Sequence, residues 1–394
     1  MNTHKYVIGQ TGTGKSTYVL GDAINRINEG SGITFIDPHG QAAKELLRHL
    51  PPERVQDVIY IDPSNPDRAA AFNPLQGGNH KTADDIMSAI KSRSVNSWGP
   101  RLEQTLSNIL FTLTFVPNAT LLGVEKLLYE ESYRAYAMQH ITDSLLRRYW
   151  QTQFAGYLKM KDYEKEIISP ILNKVQPMLS PDLRPILCQP SLINFREVLD
   201  SQKIVICNLS KGLIGATYSN ILGSLIASSV TAAALSREDI SEADRVPHYL
   251  FADEFPDYAT DAFAVVLSEA RKYKLILTLI HQYVGQLPEE VRPAIFGNVN
   301  HLVCFRIGAL DAPIIAEQLD WENPSTLTDM ANHTYRERRP SPRGVPYPVE
   351  LHSTERLPAG RKSGGAAWSN SRCARDRRVV EANITSFLRR TNWG

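Results

Sequence analysis

The stretch GQTGTGKST, Gly9 to Thr17, limits the possible fold more than any other part of the sequence. It fits the pattern GxxxxGK[ST], in which glycines let backbone N–H groups converge on phosphate oxygens. The apolar run HKYVI precedes it, and a segment with helical periodicity, Lys15 to Glu29, follows. A strand that leads through such a loop into a helix places the phosphates at the positive helix N-terminus. The sequence therefore predicts a nucleotide-binding P-loop.

Two side chains of this loop have a defined chemical task. We expect Lys15 to reach the β- and γ-phosphates of ATP, and the Ser16 hydroxyl to ligate Mg²⁺. The other expected nucleotide contacts are Gly9, Thr11, Gly12, Thr13, Gly14 and Thr17. ATP and Mg²⁺ are thus the predicted ligands.

Six further apolar runs, most of them separated by helix-length segments, predict buried strands. They are ITFIDPHG, VIYIDP, KIVICNL, HYLFADEF, KLILTLI and HLVCFRI. Strand, helix and strand in this alternation indicate an α/β fold with a mainly parallel sheet. Between Thr82 and Phe195 the apolar pattern has a helical period instead, which predicts an all-α insertion.

The predicted organisation is therefore a nucleotide-binding domain in two segments, residues 1–79 and 200–332, split by an all-α domain at 80–199. Residues 333–394 carry 13 Lys and Arg against 5 Asp and Glu, whereas the preceding residues carry 30 against 37. Residues 336–375 are also rich in Pro, Arg, Gly and Ser. This composition predicts a basic, partly disordered C-terminal tail.

One stretch, Gly212 to Ser236, runs 25 residues without a charge and is long enough to span a membrane. It is rich in Ser, Thr, Ala and Gly and lies between two predicted strands, which favours a helix buried against the sheet. No apolar signal core precedes the P-loop, and the four cysteines lack metal-ligand spacing. We therefore expect no transmembrane segment and a cytoplasmic location, with peripheral attachment to the inner membrane left open.

The run HYLFADEF ends in two adjacent carboxylates, Asp253 and Glu254. A buried strand would deliver Asp253 to the edge of the sheet, where it can hold Mg²⁺. Glu254 can then polarise a water as a general base, which favours hydrolysis over transfer to a second substrate. The alternative is a strand that merely ends in two solvated carboxylates.

The segment SEARKYKLILTLIHQ places Gln282 at the end of the next strand, near the expected γ-phosphate. Arg271 lies ahead of that strand, on the flank, where it could stabilise transition-state charge in an adjacent subunit. Because cations are favoured at any helix C-terminus, an ordinary helix end remains the alternative for Arg271.

In their order and spacing, these segments resemble the HerA/FtsK-like branch of P-loop motor ATPases. The nearest type is the coupling protein of conjugative type IV secretion systems (TraG/TraD-like). The resemblance covers most of residues 4–320. It rests on HKYVIGQTGTGKST, FIDPHG, FNPL, SWGPRLEQTLSNIL, VICNLSKGLIG, LFADEF, the SEARKYKL-to-HQ segment and GNVNHLVCFRIGALDA.

This likeness implies a RecA-like ATPase domain, a homo-hexameric ring and DNA passing through its centre. It also implies a relaxase or type IV secretion components as partners. Membrane-anchored members carry transmembrane helices ahead of the P-loop, whereas eight residues precede Gly9 here. This points either to a soluble relative or to a missing start of the chain.

Carried over residue by residue, the likeness assigns Lys15 and Ser16 to the Walker A pair. Asp253 and Glu254 become the Walker B pair, and Gln282 the sensor. Two arginines complete the implied site: Arg271, offered in trans, and Arg306 of FRIG as a second candidate. Asp37 and His39 would line the nucleotide edge without an assigned role.

The segment Leu145 to Lys165 suits contacts with the backbone and bases of DNA, because it interleaves cations with aromatic rings. An amphipathic helix pair with an aromatic core face explains the same pattern. Arg101 and Lys211 are isolated further candidates.

The predicted function is an ATP-driven translocase that binds DNA non-specifically. Two alternatives remain open at this stage. One is a secretion-system assembly ATPase that acts on protein, and the other is a nucleotide-gated DNA-binding partner of a nuclease or relaxase.

Overall fold

The computed structural model describes residues 3–91, 98–259, 266–341, 346–357, 360 and 372–393. The chain divides into two compact units. Unit 1 contains residues 1–61, 194–212 and 226–371, and unit 2 contains residues 62–193, 213–225 and 372–394.

The strands are β1 (Lys5–Ile8), β2 (Gly32–Asp37), β3 (Val58–Ile61), β4 (Arg68–Ala70), β5 (Ile204–Asn208), β6 (His248–Ala252), β7 (Leu275–His281), β8 (His301–Cys304), β9 (Thr334–Arg338), β10 (Glu350–Ser353) and β11 (Ala374–Asp376). The α-helices are α1 (Lys15–Asn28), α2 (Gln41–Arg48), α3 (His80–Lys91), α4 (Pro100–Phe115), α5 (Gly123–Tyr129), α6 (Glu131–His140), α7 (Ser144–Tyr149), α8 (Ala155–Tyr157), α9 (Ser169–Val175), α10 (Arg184–Leu187), α11 (Phe195–Asp200), α12 (Lys211–Ile214), α13 (Ala216–Leu235), α14 (Val291–Asn298), α15 (Ala312–Leu319), α16 (Ser325–Thr328) and α17 (Arg377–Arg389).

Unit 1 is built on a nine-stranded sheet in the order β10-β9-β8-β1-β7-β6-β2-β5-β3. The seven strands from β8 to β3 in this order are all parallel, and β9 and β10 add an antiparallel edge. Every residue of β1, β2, β6 and β7 is buried, as expected for parallel strands covered on both faces. The prediction of an α/β fold with a mainly parallel sheet is confirmed.

Helix α1 follows the P-loop and packs on this sheet. Its buried apolar residues are Val19, Leu20, Ala23, Ile24 and Ile27, which are the residues that the helical periodicity selects. They join a core cluster with side chains of β1, β2, β5, β6 and β7. The helix start is thereby held rigidly at the end of β1.

The uncharged stretch after β5 forms helix α13. Among the described residues, the helical stretch Ala216–Asp239 is the one that is long and apolar enough to cross a membrane. Of its most apolar window, 67% is buried inside the protein, which is the environment of a core helix.

The C-terminal residues contain β9, β10, β11 and α17, and the expectation of a basic, partly disordered tail at residues 333–394 stays a prediction. Charged residues in these elements contact residues that are distant in the chain. The composition of the C-terminal segment alone does not reveal these contacts. Glu337 of β9, for example, is buried and accepts a hydrogen bond from His301 (Nε2 to Oε1, 2.6 Å). Residues 342–345, 358–359, 361–371 and 394 lie outside the described part of the predicted tail.

Strand β11 and helix α17 belong to unit 2, where β11 pairs antiparallel with β4. Lys126, which is 4% exposed, donates hydrogen bonds to the carbonyls of Leu388 (2.9 Å) and Arg390 (3.1 Å). A cation at this end of a helix neutralises its unpaired carbonyls. The ring of Trp393 then packs edge-on against Tyr133, with centroids 4.7 Å apart. The C-terminus is therefore an integral part of unit 2.

This arrangement predicts unequal effects for two neighbouring residues of α17. Ile384 is 4% exposed, and Ile384→Ala is expected to destabilise unit 2 by about 2–4 kcal/mol through lost burial and a cavity. Thr385 is exposed, and Thr385→Ala should change the free energy of unfolding by less than about 0.5 kcal/mol. Amide hydrogen exchange in α4 and α5 measures both effects, and equal exchange in the two variants would contradict a packed C-terminal helix.

Candidate nucleotide-binding site

The P-loop lies at the edge of the sheet where the parallel strands end, and its glycines are needed for its shape. Gly12 and Gly14 have left-handed φ values of 79° and 110°. A Cβ on Gly9 would lie 2.5 Å from the Cβ of Phe305, so only glycine fits there. The N–H of Gln10 donates to the carbonyl of Arg306 (2.8 Å), which anchors the loop to the end of β8.

Lys15 is the first residue of α1 and is buried. Its Nζ donates hydrogen bonds to the carbonyls of Gly9 and Gln10, the latter at 2.9 Å. Burial lowers the pKa of Lys15, while the carboxylates of Asp253 and Glu254 oppose this shift. The ammonium group therefore lies between the loop and the two acidic residues after β6.

Three segments meet through the side chain of Gln282, which directly follows β7. Its Nε2 donates to Oε1 of Glu254 (2.7 Å), and its Oε1 accepts from the Thr11 hydroxyl (3.1 Å). Glu254 itself has a left-handed backbone (φ 51°, ψ 47°), which costs roughly 1–2 kcal/mol for a residue with a side chain. The structure thus brings together the P-loop, the acidic pair and the glutamine that sequence analysis selected.

The two adjacent carboxyl groups have opposite electrostatic environments. Desolvation, and then the charges of Asp37 and Glu254, raise the pKa of Asp253 to about 7. Burial also favours the neutral form of Glu254, but the nearby imidazole of His39 and the hydrogen bond from Gln282 outweigh it and lower its pKa. Glu254 is therefore the carboxylate that stays ionised most readily.

Asp37 and His39 have distinguishable positions in this site. The buried Asp37 accepts hydrogen bonds from the N–H groups of His39 and Ala43, both at 2.8 Å, and so fixes the turn into α2. The imidazole of His39 lies 3.6 Å from Oε1 of Glu254. The carboxylate of Glu254 raises the pKa of His39.

A cavity of about 630 Å³ connects these groups and is lined by residues that follow five strands of the sheet. Sequence analysis did not select His333, which also lines it. The N–H of His333 donates to the carbonyl of Thr13 (2.7 Å), and its Nδ1 would lie 3.0 Å from a Cβ on Gly14. No local pattern marks this residue, because its partners lie about 320 positions earlier in the chain.

Gln286 is a second residue that sequence analysis missed. Its Oε1 accepts hydrogen bonds from the N–H groups of Gln282 (3.0 Å) and Tyr283 (3.2 Å). This side chain holds the turn after β7 and so orients Gln282 towards Glu254.

The two candidate arginines lie at opposite ends of the parallel strands. Arg306 follows β8 and is half-buried beside the P-loop. Arg271 is exposed in a short 3₁₀ helix, Ala270–Tyr273, at the amino end of β7. The seven residues of β7 separate it from Gln282 by roughly 20 Å at about 3.3 Å per residue. Arg271 is thus too distant to contact the cavity of its own chain.

The aromatic and basic segment of unit 2 is split between core and surface. Tyr149, Trp150 and Phe154 are at most 7% exposed, and so cannot stack on bases. The exposed cations are Arg147, Arg148, Lys159, Lys161 and Lys165. The amphipathic alternative therefore explains the buried aromatic residues. The isolated candidates have carboxylate partners: Arg101 pairs with Glu166, and Lys211 with Asp257.

Comparison with known proteins identifies similar folds. No protein-family profile matches the sequence, and no curated protein matches it. The plasmid coupling protein TrwB in complex with a non-hydrolysable GTP analogue aligns with a TM-score of 0.66 at 15% identity, over 91% of this chain and 87% of that chain. TrwB in complex with ADP and Mg²⁺ aligns with a TM-score of 0.63 at 15% identity, over 92% and 87%.

VirB4 of Thermoanaerobacter pseudethanolicus aligns with a TM-score of 0.61 at 14% identity, over 90% of this chain and 90% of that chain. At such low identity these likenesses show the fold. The predicted RecA-like P-loop NTPase fold is confirmed.

The opposite environments of the two carboxyl groups predict opposite pH effects in chelating buffer without nucleotide. The raised pKa of Asp253 means that the folded protein loses stability as the pH rises from about 4 to about 7. Asp253→Asn removes this loss and should be more stable than the parent at pH 8, by about 2–4 kcal/mol. At pH 4 the two proteins should differ little.

Glu254→Gln is the matched variant with the opposite sign. The lowered pKa of Glu254 in the parent protein means that its ionised carboxylate stabilises the fold at pH values above the ordinary glutamate pKa. This stabilisation is lost as the pH falls through the lowered pKa of the folded protein. The variant should therefore be less stable than the parent at pH 8. Urea unfolding across this pH range measures both effects, and parallel pH profiles would refute the assigned environments.

Proposed function

We propose that this chain is an ATP-hydrolysing ring motor that translocates DNA, of the conjugation and type IV secretion coupling type. The observation that carries the proposal is the convergence of Lys15, Asp253, Glu254 and Gln282 around one cavity. The likeness to TrwB, whose structures contain nucleotides, supports the same reading. A homo-hexamer acting with a relaxase or secretion components is the proposed assembly.

The chemistry assigned to this site is attack of water on the γ-phosphate. Backbone N–H groups of the P-loop and the Lys15 ammonium would bind the phosphates. The ionised Glu254, hydrogen-bonded to Gln282, would accept a proton from the attacking water. Because Gln282 also contacts Thr11 of the P-loop, it would report the state of the γ-phosphate to both segments.

The donor atoms at this edge suit Mg²⁺. Ser16 and Asp253 line the cavity and offer hydroxyl and carboxylate oxygens, the ligands that Mg²⁺ prefers. Among the described residues, no three His, Cys, Asp or Glu side chains are grouped to hold a metal ion by themselves. This fits an ion that takes most of its ligands from phosphate and water. Mg²⁺ supplies charge that neutralises the phosphate oxygens.

A second candidate is an ATPase that acts on protein during secretion. The likeness to VirB4 favours it, because VirB4 aligns over nearly as much of this chain as TrwB does, 90% against 91%. The burial of Tyr149, Trp150 and Phe154 also removes three of the five aromatic residues from the predicted base-stacking surface. Dependence of hydrolysis on DNA distinguishes the two candidates.

Steady-state ATP hydrolysis with single- or double-stranded DNA, at two salt concentrations, tests the proposal. DNA is expected to stimulate turnover more at low salt, because phosphate contacts release counterions. Lys15→Ala should reduce turnover roughly 100-fold or more. Lys44→Ala, an exposed residue of α2 outside the cavity, should leave turnover unchanged. Hydrolysis indifferent to DNA would favour the protein-secreting ATPase, and full activity of Lys15→Ala would refute the assigned site.

The position of Arg271 predicts action in a neighbouring subunit. Arg271→Ala should keep nucleotide affinity and lose roughly 1,000-fold in turnover, while Lys272→Ala beside it should lose little. Mixing Arg271→Ala with Glu254→Gln should restore part of the activity, because one subunit then supplies the carboxylate and its neighbour the arginine. Turnover measured as a function of the mixing ratio tests this, and no recovery at any ratio would argue against action in trans.

A further inference from the structure

Two buried residues of unit 1, Tyr6 and His281, share a hydrogen bond that no step of the proposed chemistry uses. The Tyr6 hydroxyl lies 2.7 Å from Nε2 of His281, and both residues are fully buried. Strand pairing brings them together, because Ile8 of β1 is aligned with His281 of β7, and Tyr6 projects to the same face as Ile8. The two rings pack edge-on, with centroids 5.1 Å apart. Burying a polar pair costs free energy that an apolar pair would not, so its position calls for a physical reason.

The partners of His281 decide which of its ring nitrogens carries the proton. Burial lowers the pKa of His281 to about 4, so the ring is neutral near pH 7 and has one N–H. Its Nδ1 lies 3.4 Å from Oε1 of Gln286, an atom that can only accept, so the N–H is on Nδ1. Nε2 is then an acceptor, and the Tyr6 hydroxyl donates to it. Tyr6 therefore selects the tautomer of His281 that faces Gln286 with a donor.

Gln286 connects this buried pair to the nucleotide-binding site. Its Oε1 also accepts from the backbone N–H groups of Gln282 (3.0 Å) and Tyr283 (3.2 Å), so three N–H groups surround one oxygen. The reversed amide would place its NH₂ group against three donors, which fixes the orientation of the Gln286 side chain. The backbone that Gln286 holds carries the amide of Gln282, which contacts Glu254 (2.7 Å) and Thr11 (3.1 Å). An unbroken series of hydrogen bonds thus runs from the interior of the sheet to the acidic pair.

We infer that Tyr6 and His281 are positioning residues that hold Gln282 against Glu254 through Gln286. The inference rests on the proposed function, in which the ionised Glu254 accepts a proton from water. Neither Tyr6 nor His281 lines the nucleotide cavity, so both act through the turn after β7. The P-loop, which binds the phosphates, does not depend on this turn for its glycine conformations. The pair therefore contributes to the rate of the chemical step and little to nucleotide affinity.

Steady-state ATP hydrolysis by Tyr6→Phe is the first test, because this variant removes the hydroxyl and keeps the packed ring. It should lower kcat roughly tenfold through the lost hydrogen bond, while KM changes less than about twofold. Tyr133→Phe removes the hydroxyl of a buried tyrosine of unit 2 and should change neither constant. An unchanged kcat in Tyr6→Phe would overturn the inference.

A double-mutant cycle separates positioning of Gln282 from a general loss of stability. In the Gln282→Ala background, Tyr6→Phe should change kcat less than about twofold, since the amide that it positions is missing. A tenfold loss in that background as well would show that Tyr6 acts by another route and would overturn the inference.

Substitutions of His281 test the donor at Nδ1. His281→Leu fills a similar volume without a donor and should lower kcat roughly tenfold. His281→Asn offers an amide N–H in place of Nδ1–H and should recover most of this loss. Equal losses in the two variants would overturn the role assigned to the donor.

Amide hydrogen exchange, followed by NMR in the nucleotide-free protein, provides a readout that does not depend on hydrolysis. Tyr6→Phe should raise the exchange rates of the Gln282 and Tyr283 amides roughly tenfold, because Gln286 holds them less firmly. The amides of β2 should keep their rates. Unchanged exchange at Gln282 and Tyr283 would overturn the inference. If the parent protein hydrolysed no ATP, the proposed function would fail, and exchange at these two amides would decide the positioning role by itself.

Discussion

The site depends on one geometric constraint: parallel strands end at the same edge of a sheet. The P-loop follows β1, Asp37 ends β2, and Asp253 and Gln282 follow β6 and β7, so their polar groups meet although the chain separates them widely. Burial of these strands on both faces holds that edge rigidly. Convergence also has a cost, since it places carboxyl groups close together with little water. The raised pKa of Asp253 is the direct result.

The hydrogen bonds around Gln282 turn this convergence into a connected site. One amide group contacts Glu254 and Thr11, and Gln286 holds the backbone from which that amide projects. A change at the phosphates would therefore affect the P-loop, the turn after β6 and the turn after β7 together. On the other side of the P-loop, His333 makes a similar connection to the edge strands β9 and β10.

Much of this site could be predicted because its signals are local. The period of 3.6 residues selected the buried face of α1, and apolar runs ending in Asp or Gln selected the strands that carry Asp253 and Gln282. The interleaved aromatic residues near Trp150 were ambiguous, because core packing and base stacking use the same side chains. His333, β11 and α17 could not be predicted, since their partners lie far away in the chain. Gln286 contacts its near neighbours Gln282 and Tyr283, but a single glutamine after a strand forms no pattern that marks it.

The amino-acid sequence by itself determined the α/β class, the phosphate loop and the acidic pair, because each depends on neighbouring residues in a short periodic pattern. Only the tertiary structure decided how the C-terminal residues are used. Strands β9 and β10 extend the sheet of unit 1, and α17 packs within unit 2. Residues 352–357 line a cavity beside α1. These placements involve hydrogen bonds between distant residues, such as those of His301 with Glu337 and of Lys126 with the carbonyls of Leu388 and Arg390. The amino-acid composition describes a segment by itself and therefore gives no information about partners elsewhere in the chain.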